Sequence, residues 1–292
     1  MRESLYAHAA ALREQGYAII PNAAPRAQID ALVADLEPRF AATPFCEGDF
    51  YGPRTKRFGG LLKRSGHAAT FVEHPLALGL AEAMLGPHCD RFALNLTQAV
   101  EIHEGALAQY PHRDEDMWAG PKGEVEYLIN VMWPLTQFSR ANGATRLWAG
   151  SNHIPVASLR EEHAIYAELE PGDMLAFLGS TLHAGSANTT PMPRRGLIVS
   201  YCLGWLKPFE NQWLVYPPDI ARTFTPELAA LVGYAQHRPN LGNVEGQCPS
   251  TLLWGDAVEH RAATDALRPD QAEALGMHVA EQAAARAGLL GG

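Results

Sequence analysis

Residues 92–102 read FALNLTQAVEI, and residues 172–183 read Gly172-Asp-Met-Leu-Ala-Phe-Leu-Gly-Ser-Thr-Leu-His183. The first is a long β-branched and aromatic run. The second is a Pro171-Gly172-Asp173 turn that launches an apolar strand and delivers a histidine at its end. Between and beyond them, Ala106–Pro111, Tyr127–Leu135, Thr145–Trp148, Ala167–Leu169 and Leu197–Leu206 have the same character, punctuated by Asn142-Gly143, Pro191 and Pro193. Many short strands in one stretch, with helical segments outside it, predict a mainly β protein with flanking helices. Such a pattern suggests a double-sheet jelly roll, the cupin-like solution to the edge-strand problem.

Helical periodicity brackets that core. Ser4–Gln15 reads as an amphipathic helix ended by Gly16, followed by a short strand at Tyr17–Ile20. Ile29, Leu32, Val33 and Leu36 mark a second helix after Pro25, and Pro75–Met84 a third. Residues 44–66 are rich in glycine and aromatics without a clear period, which suits either a functional lid or a poorly ordered segment. After Pro208 the chain turns helical again, at Pro226–Ala235 and Asp270–Ala285. The expectation is a single domain over 1–292, with N-terminal helices and a lid in 1–90, a jelly-roll core in 91–206 and a C-terminal helical extension in 207–292. Leu275 and Val279 share one face of the last helix, which suits packing on the barrel or on a second subunit of a homodimer.

The composition, with 47% hydrophobic and 19% charged residues, is that of a soluble globular protein. A net charge of −9 disfavours nucleic acid and anionic membranes as partners. No apolar run approaches the ~20 residues that span a bilayer. The first residues lack the pattern of a secretion signal, so a cytoplasmic location is expected. Cys46, Cys89, Cys202 and Cys248 form no metal-knuckle spacing. The local basic cluster Arg54, Lys56, Arg57, Lys63 and Arg64 reads as a solvated loop or as a segment that meets an anionic substrate group.

The chemistry concentrates in Tyr110-Pro-His112-Arg-Asp114-Glu-Asp-Met-Trp118. Residues two apart on a strand or its exit face the same way, so His112 and Asp114 can converge. An imidazole and a carboxylate are two thirds of the two-His-one-carboxylate triad that holds Fe(II) and leaves open positions. On the pair alone, a turn-capping histidine and an aspartate paired with Arg113 explain the spacing as well. His183, 69 residues after Asp114 (183 − 114), supplies the third ligand if the facing sheet brings it across. Glu115 and Asp116 are rivals to Asp114 as ligand, and His153 suits a hydrogen-bonded turn. An arginine at 194 or 195 can reach into the barrel and pair with a carboxylate.

The series His112-x-Asp114, Asn142-Gly-Ala-Thr145, Gly150-Ser-Asn-His153, Gly172-Asp173, His183-x-Gly185-Ser-x-Asn188 and Arg194 resembles the phytanoyl-CoA dioxygenase family, nearest its natural-product members. The resemblance spans about residues 10–210. It implies a double-stranded β-helix fold and the use of Fe(II), 2-oxoglutarate and O₂, with His112, Asp114 and His183 as ligands and catalytic centre. It matches Arg194 to the residue that pairs with the distal carboxylate of 2-oxoglutarate, with Arg195 as rival, and Gln109 and Thr145 to further cosubstrate contacts. Asp114 disfavours halogenation, which needs a small residue there. Phe50, Tyr51 and Phe58 are the expected lid contacts to substrate. Trp118 and Trp133 are further candidates, with a core role as the competing reading. The implied reaction oxidises a C–H bond of a small, largely apolar metabolite by hydroxylation, desaturation, cyclisation or endoperoxidation, with release of succinate and CO₂. Two readings stand beside it: a cupin-like isomerase or dioxygenase that needs no Arg194, and a metal-free binding protein.

Overall fold

The structure, a computed structural model, describes residues 2–154, 158–255 and 261–290. The outermost ends of the expected domain lie outside the described residues. The chain opens with α1 (Arg2–Gln15), β1 (Tyr17–Ile20), α2 (Arg26–Ala42), β2 (Thr55–Gly59), α3 (Ala68–Val72) and α4 (Pro75–Leu85). The β region follows with β3 (Phe92–Ile102), β4 (Leu128–Pro134), β5 (Thr145–Trp148), β6 (Ala164–Ala167), β7 (Met174–Leu178), β8 (His183–Gly185) and β9 (Arg194–Leu203). Short helices α5 (Gln212–Val215), α6 (Pro218–Ala221), α7 (Pro226–Leu231) and α8 (Thr251–Trp254) precede the long α9 (Pro269–Leu290).

Two antiparallel sheets face each other, one ordered β1-β7-β4-β9-β3-β2 and the other β6-β5-β8. The jelly-roll expectation therefore holds. The larger sheet also recruits β1 and β2 from before residue 91, and β2 comes out of the stretch expected to be irregular. β4 sits in the middle and is buried along its whole length. That explains its unbroken apolar run, because both faces of the strand are covered. One face, with Ile129, Val131 and Trp133, packs under the helices; the other, with Met132, joins Leu147 and Phe177 between the sheets.

The helical layer is built by the periodicity read from the sequence. Ile29, Leu32, Leu36 and Phe40 of α2 are fully buried at 3–4 residue spacing. Burying four such side chains contributes roughly 6–12 kcal/mol before the entropy of ordering them. The Gly172-Asp173 turn is a fixed joint. Gly172 has φ +110°, and a Cβ there would lie 2.7 Å from the Ala24 carbonyl oxygen. The Asp173 carboxylate accepts from the backbone N–H groups of Asn22 and Glu170. This ties the start of β7 to the turns around Asn22 and Ala24, just before α2.

Some strand assignments differ. The strand from Met174 does not run through to His183. It ends at Leu178, and a tight turn at 179–182 hands the chain to the opposite sheet, where β8 begins on His183. Ala106–Pro111 is not a regular strand. It follows β8 through Gln109 N–H to Gly185 O and reciprocal bonds between His112 and His183, and Pro111 cannot donate to a ladder. The last strands shift as well, to Ala164–Ala167 and Arg194–Leu203. The long helix α9 does not pack on the barrel: Leu275 and Val279 are 42% and 56% exposed. Among the described residues no helix is long and apolar enough to cross a membrane.

Candidate metal centre and active site

The reciprocal backbone bonds between His112 and His183, 3.0 Å each, bring the two imidazoles side by side. Asp114 opens a 3-10 turn at Asp114–Met117, which folds its carboxylate back between them. Its Oδ1 is 3.5 Å from His112 Nε2, and its Oδ2 is 3.6 Å from His183 Nε2. All three donor atoms lie within 4.8 Å of one another. Octahedral ligands at ~2.1 Å from one ion stand ~3.0 Å apart, so a small contraction completes the set.

The tautomers suit metal binding. His112 Nδ1 lies 2.9 Å from the Tyr110 carbonyl oxygen, and His183 Nδ1 lies 3.0 Å from that of Thr181. Each carbonyl accepts the Nδ1 proton and leaves the Nε2 lone pair facing Asp114. Asn130 Nδ2 donates to Asp114 Oδ2 at 2.8 Å and orients the carboxylate. Burial pushes the Asp114 carboxyl up, but His183, His112 and the Asn130 amide outweigh it and bring it down to about 2. Burial lowers the His183 pKa, with Asp114 opposing. An ionised carboxylate and a neutral imidazole are the forms a cation needs. Glu115, by contrast, is buried away from the cavity and Asp116 lies at its rim.

The three side chains face a cavity of about 390 Å³ between the sheets. Its walls are largely apolar, with Val100, Ile102, Met132, Phe177 and Ile198 among them. Arg194 reaches into it from the start of β9. The residue is 2% exposed, its guanidinium carbon stands 3.5 Å from the Phe138 ring centroid, and Nη2 donates to Thr145 Oγ1 at 3.3 Å. Its Nε is buried without a partner. Burial and then the charge of Arg57 bring its pKa down to about 9, so it is still a cation near neutrality. Gln109 lines the same cavity, with Oε1 accepting from Gly185 N–H and Nε2 donating to the Phe50 carbonyl.

Neighbouring residues on one strand go to opposite faces, and this sorts the remaining candidates. Arg195 points out of the barrel, where Glu37 and Glu101 hold it at 2.5 Å each. Trp133 follows Met132 and is fully buried against Phe71 and His74 in the helical layer. Phe58 follows Arg57 and packs edge-on against Phe40. Trp118 stacks edge-on with Tyr127 and donates to the Lys207 carbonyl. None of these four lines the cavity. Phe50 and Tyr51 do, and the Phe50 ring meets His112 edge-on at 4.9 Å between centroids.

Three contributors escape a reading of the sequence. Arg57, one member of the basic cluster, turns into the cavity from β2; Nη1 donates to Gln98 at 2.9 Å and Nε has no partner. Its position was hidden because β2 lies in a stretch without clear periodicity. Asn130 sits in a run that reads as plain core strand. Phe209 lines the far wall, held by its N–H to Asn95 Oδ1 at 2.7 Å, beside the register shift β3 makes between Leu94 and Leu96.

A jelly roll whose two sheets enclose a His-Asp-His cluster and a buried arginine defines a class of non-haem metal oxygenase. The model of the phytanoyl-CoA dioxygenase (PhyH) family matches residues 12–196. The chain therefore belongs to that family and is an enzyme of the Fe(II)/2-oxoglutarate-dependent dioxygenase type. It is 33% identical over 222 residues to the dioxygenase FrzG of Cladobotryum sp, covering 70% of this chain and 72% of the relative. It is 28% identical over 255 residues to the iron/alpha-ketoglutarate-dependent dioxygenase okaE of Penicillium ochrochloron, covering 80% and 82%. Among solved structures it resembles the epimerase SnoN in complex with Fe3+, alpha ketoglutarate and nogalamycin RO, with TM-score 0.59, 18% identity, and 70% and 85% of the two chains covered.

Proposed function

We propose that this enzyme oxidises a C–H bond of a small, largely apolar metabolite, with His112, Asp114 and His183 as the iron ligands and catalytic centre. The observation that carries this reading is the joint one: three metal donors converge at one end of an apolar cavity, and a buried, incompletely bonded arginine enters the same cavity. A buried guanidinium with no carboxylate partner is costly, and an anionic ligand offsets the cost.

Iron with 2-oxoglutarate and O₂ supplies the oxidising chemistry when bound. The chain's own residues set where it happens. Arg194, with Thr145 beside it, would hold the distal carboxylate of 2-oxoglutarate. Gln109 contributes a further polar contact. Arg57 gives the chamber a second cation, which favours an anion there. Asn130 keeps Asp114 turned toward both histidines. Phe50 and Tyr51 close the mouth and exclude water. The apolar walls favour a hydrocarbon-rich substrate, with Asn95, Gln98 and Asn130 as its polar contacts.

The position of the substrate carbon decides among hydroxylation, desaturation, cyclisation and endoperoxidation. The fold hosts more than one outcome, since SnoN is described as an epimerase. The test is succinate formation that requires both Fe(II) and 2-oxoglutarate. Asp114→Ala and His183→Ala proteins are expected to lose it and to retain little iron. Wild-type rates of succinate formation in both would sink the assignment.

A further inference from the structure

Behind the wall that closes the catalytic cavity lies a second cavity of about 400 Å³. The start of β3, the exit of β9, α5 and the end of α7 enclose it. Two tryptophans stand in its wall, Trp205 and Trp213, 42% and 52% exposed. Their indole N–H groups are committed, to the carbonyls of His88 and Gly233 at 3.1 and 3.2 Å. The rings are thereby fixed while much of their apolar surface stays uncovered. Gly233 has φ +96°, and a Cβ there would lie 2.7 Å from Trp213 Nε1, so the glycine makes room for the ring.

Two polar atoms in this wall are buried without a partner. Gln212 is 4% exposed; its Nε2 donates to the Asn95 carbonyl, and its Oε1 accepts nothing. Arg91 is half-buried; its Nε has no partner among the described residues, and its charge also acts on the neighbouring Asp90. Lys207 adds a second cation, and among the described residues no aspartate or glutamate lines the cavity. That is unusual in a chain with 32 acidic and 23 basic residues. A guanidinium edge with an unpartnered N–H suits an anion, and a carbonyl oxygen that accepts nothing suits a donor hydrogen. The uncovered indoles call for an aromatic body.

We propose that this cavity is a second small-molecule site, separate from the catalytic one, for an aromatic anion that also carries an N–H or O–H donor. The anion meets Arg91, the donor meets Gln212 Oε1, and the ring system lies among Trp205, Trp213 and Leu231. The site is coupled to catalysis by one shared support. Asn95 lines the catalytic cavity, while its backbone carbonyl accepts from both Gln212 Nε2 and Glu210 N–H. A ligand that engages Gln212 therefore acts on the segment that places Phe209 against the substrate.

The probe is 1-anilinonaphthalene-8-sulfonate, an aromatic sulfonate with one N–H. It is titrated by fluorescence into the full chain under anaerobic Fe(II) and saturating 2-oxoglutarate, with N-phenyl-1-naphthylamine as its uncharged counterpart. The expected result is one saturable site for the sulfonate, bound about tenfold more tightly than the uncharged amine, as loss of a charge-assisted hydrogen bond implies. Arg91→Met is expected to remove that tenfold preference, and Ala93→Phe, which fills the cavity, to abolish binding. Arg57→Met is expected to change nothing, because Arg57 lies in the other cavity. Equal affinity for the two probes on wild type overturns the proposal without any variant. So does unchanged binding to well-folded Arg91→Met and Ala93→Phe proteins, or weakened binding to Arg57→Met, which would place the probe in the catalytic cavity.

Discussion

Replacing Arg194 and replacing Arg195 should have opposite consequences, although the two are adjacent and chemically identical. Arg194 is buried, and among the described residues its guanidinium hydrogen-bonds only to the neutral Thr145 hydroxyl. Its pKa of about 9, against 12.5 in water, says that the ligand-free fold tolerates this cation at a cost. The sign follows from the depressed pKa of a base. Below about pH 9 both folded and unfolded chains carry the charge, so the penalty is fully present at neutrality and is relieved only above it. Arg194→Met removes the penalty, and the ligand-free protein should melt at the same temperature or higher. The same change removes the partner of the 2-oxoglutarate carboxylate. Breaking one side of a buried charge pair costs about 3 kcal/mol, roughly 150-fold in affinity. Arg195→Met should do the reverse. It strands Glu101, whose side chain is only 2% exposed and keeps His103 and Lys56 as remaining partners, so stability falls by about 1–3 kcal/mol. The KM for 2-oxoglutarate should not move. The assays are thermal melts without ligand and succinate formation across 2-oxoglutarate concentrations. A KM within twofold of wild type in Arg194→Met, or an equal rise in Arg195→Met, refutes the assignment of the inward arginine.

Thr145→Val leaves Arg194 without its neutral acceptor, and the KM for 2-oxoglutarate should rise about three- to tenfold, read in the same succinate assay. Trp133→Ala should destabilise the fold by about 3–5 kcal/mol in urea unfolding, while the rate per folded, iron-loaded molecule stays near wild type, since the ring packs on helices outside the cavity. Glu126 is half-buried beside Ser180, and desolvation pushes its carboxyl up to about 7 from 4.5. A raised carboxylate pKa gives stability that is full below about pH 4.5 and is lost as pH rises through 7, up to about 3 kcal/mol. Glu126→Gln should flatten the wild-type difference in unfolding free energy between pH 5 and pH 7.5; an unchanged difference would show that Glu126 titrates normally. Chelating the metal should lower the melting temperature of wild type but not of His183→Ala, because ligand binding to the folded state alone adds stability.

Much of the molecule is legible in local patterns. Alternation and punctuation mark β3, β5 and β7, and helical spacing marks α2 and α4. The His112-x-Asp114 pair, the later His183 and the following Arg194 are visible as a spaced series. The less legible parts share a physical reason: they depend on contacts made by residues remote in sequence. β2 has no pattern of its own because its register comes from β3. The stretch 44–66 divides by contact. Phe50 and Tyr51 line the mouth, while Phe58 is pinned in the core by Phe40.

The residues alone determined the chemistry available to this protein: two imidazoles, a carboxylate and an arginine in an order that a jelly roll can gather. Which neighbour of each pair faces inward was decided only by the folded sheets. Met132 against Trp133, Arg57 against Phe58, and Arg194 against Arg195 differ by one residue, and a one-residue change of register exchanges the faces of a strand. The sequence lists both members of each pair, but the pairing of β9 with β3 and β4 chooses between them. The opposing sheet that carries His183 then makes Arg194 a cavity residue and leaves Arg195 as an outer ion pair.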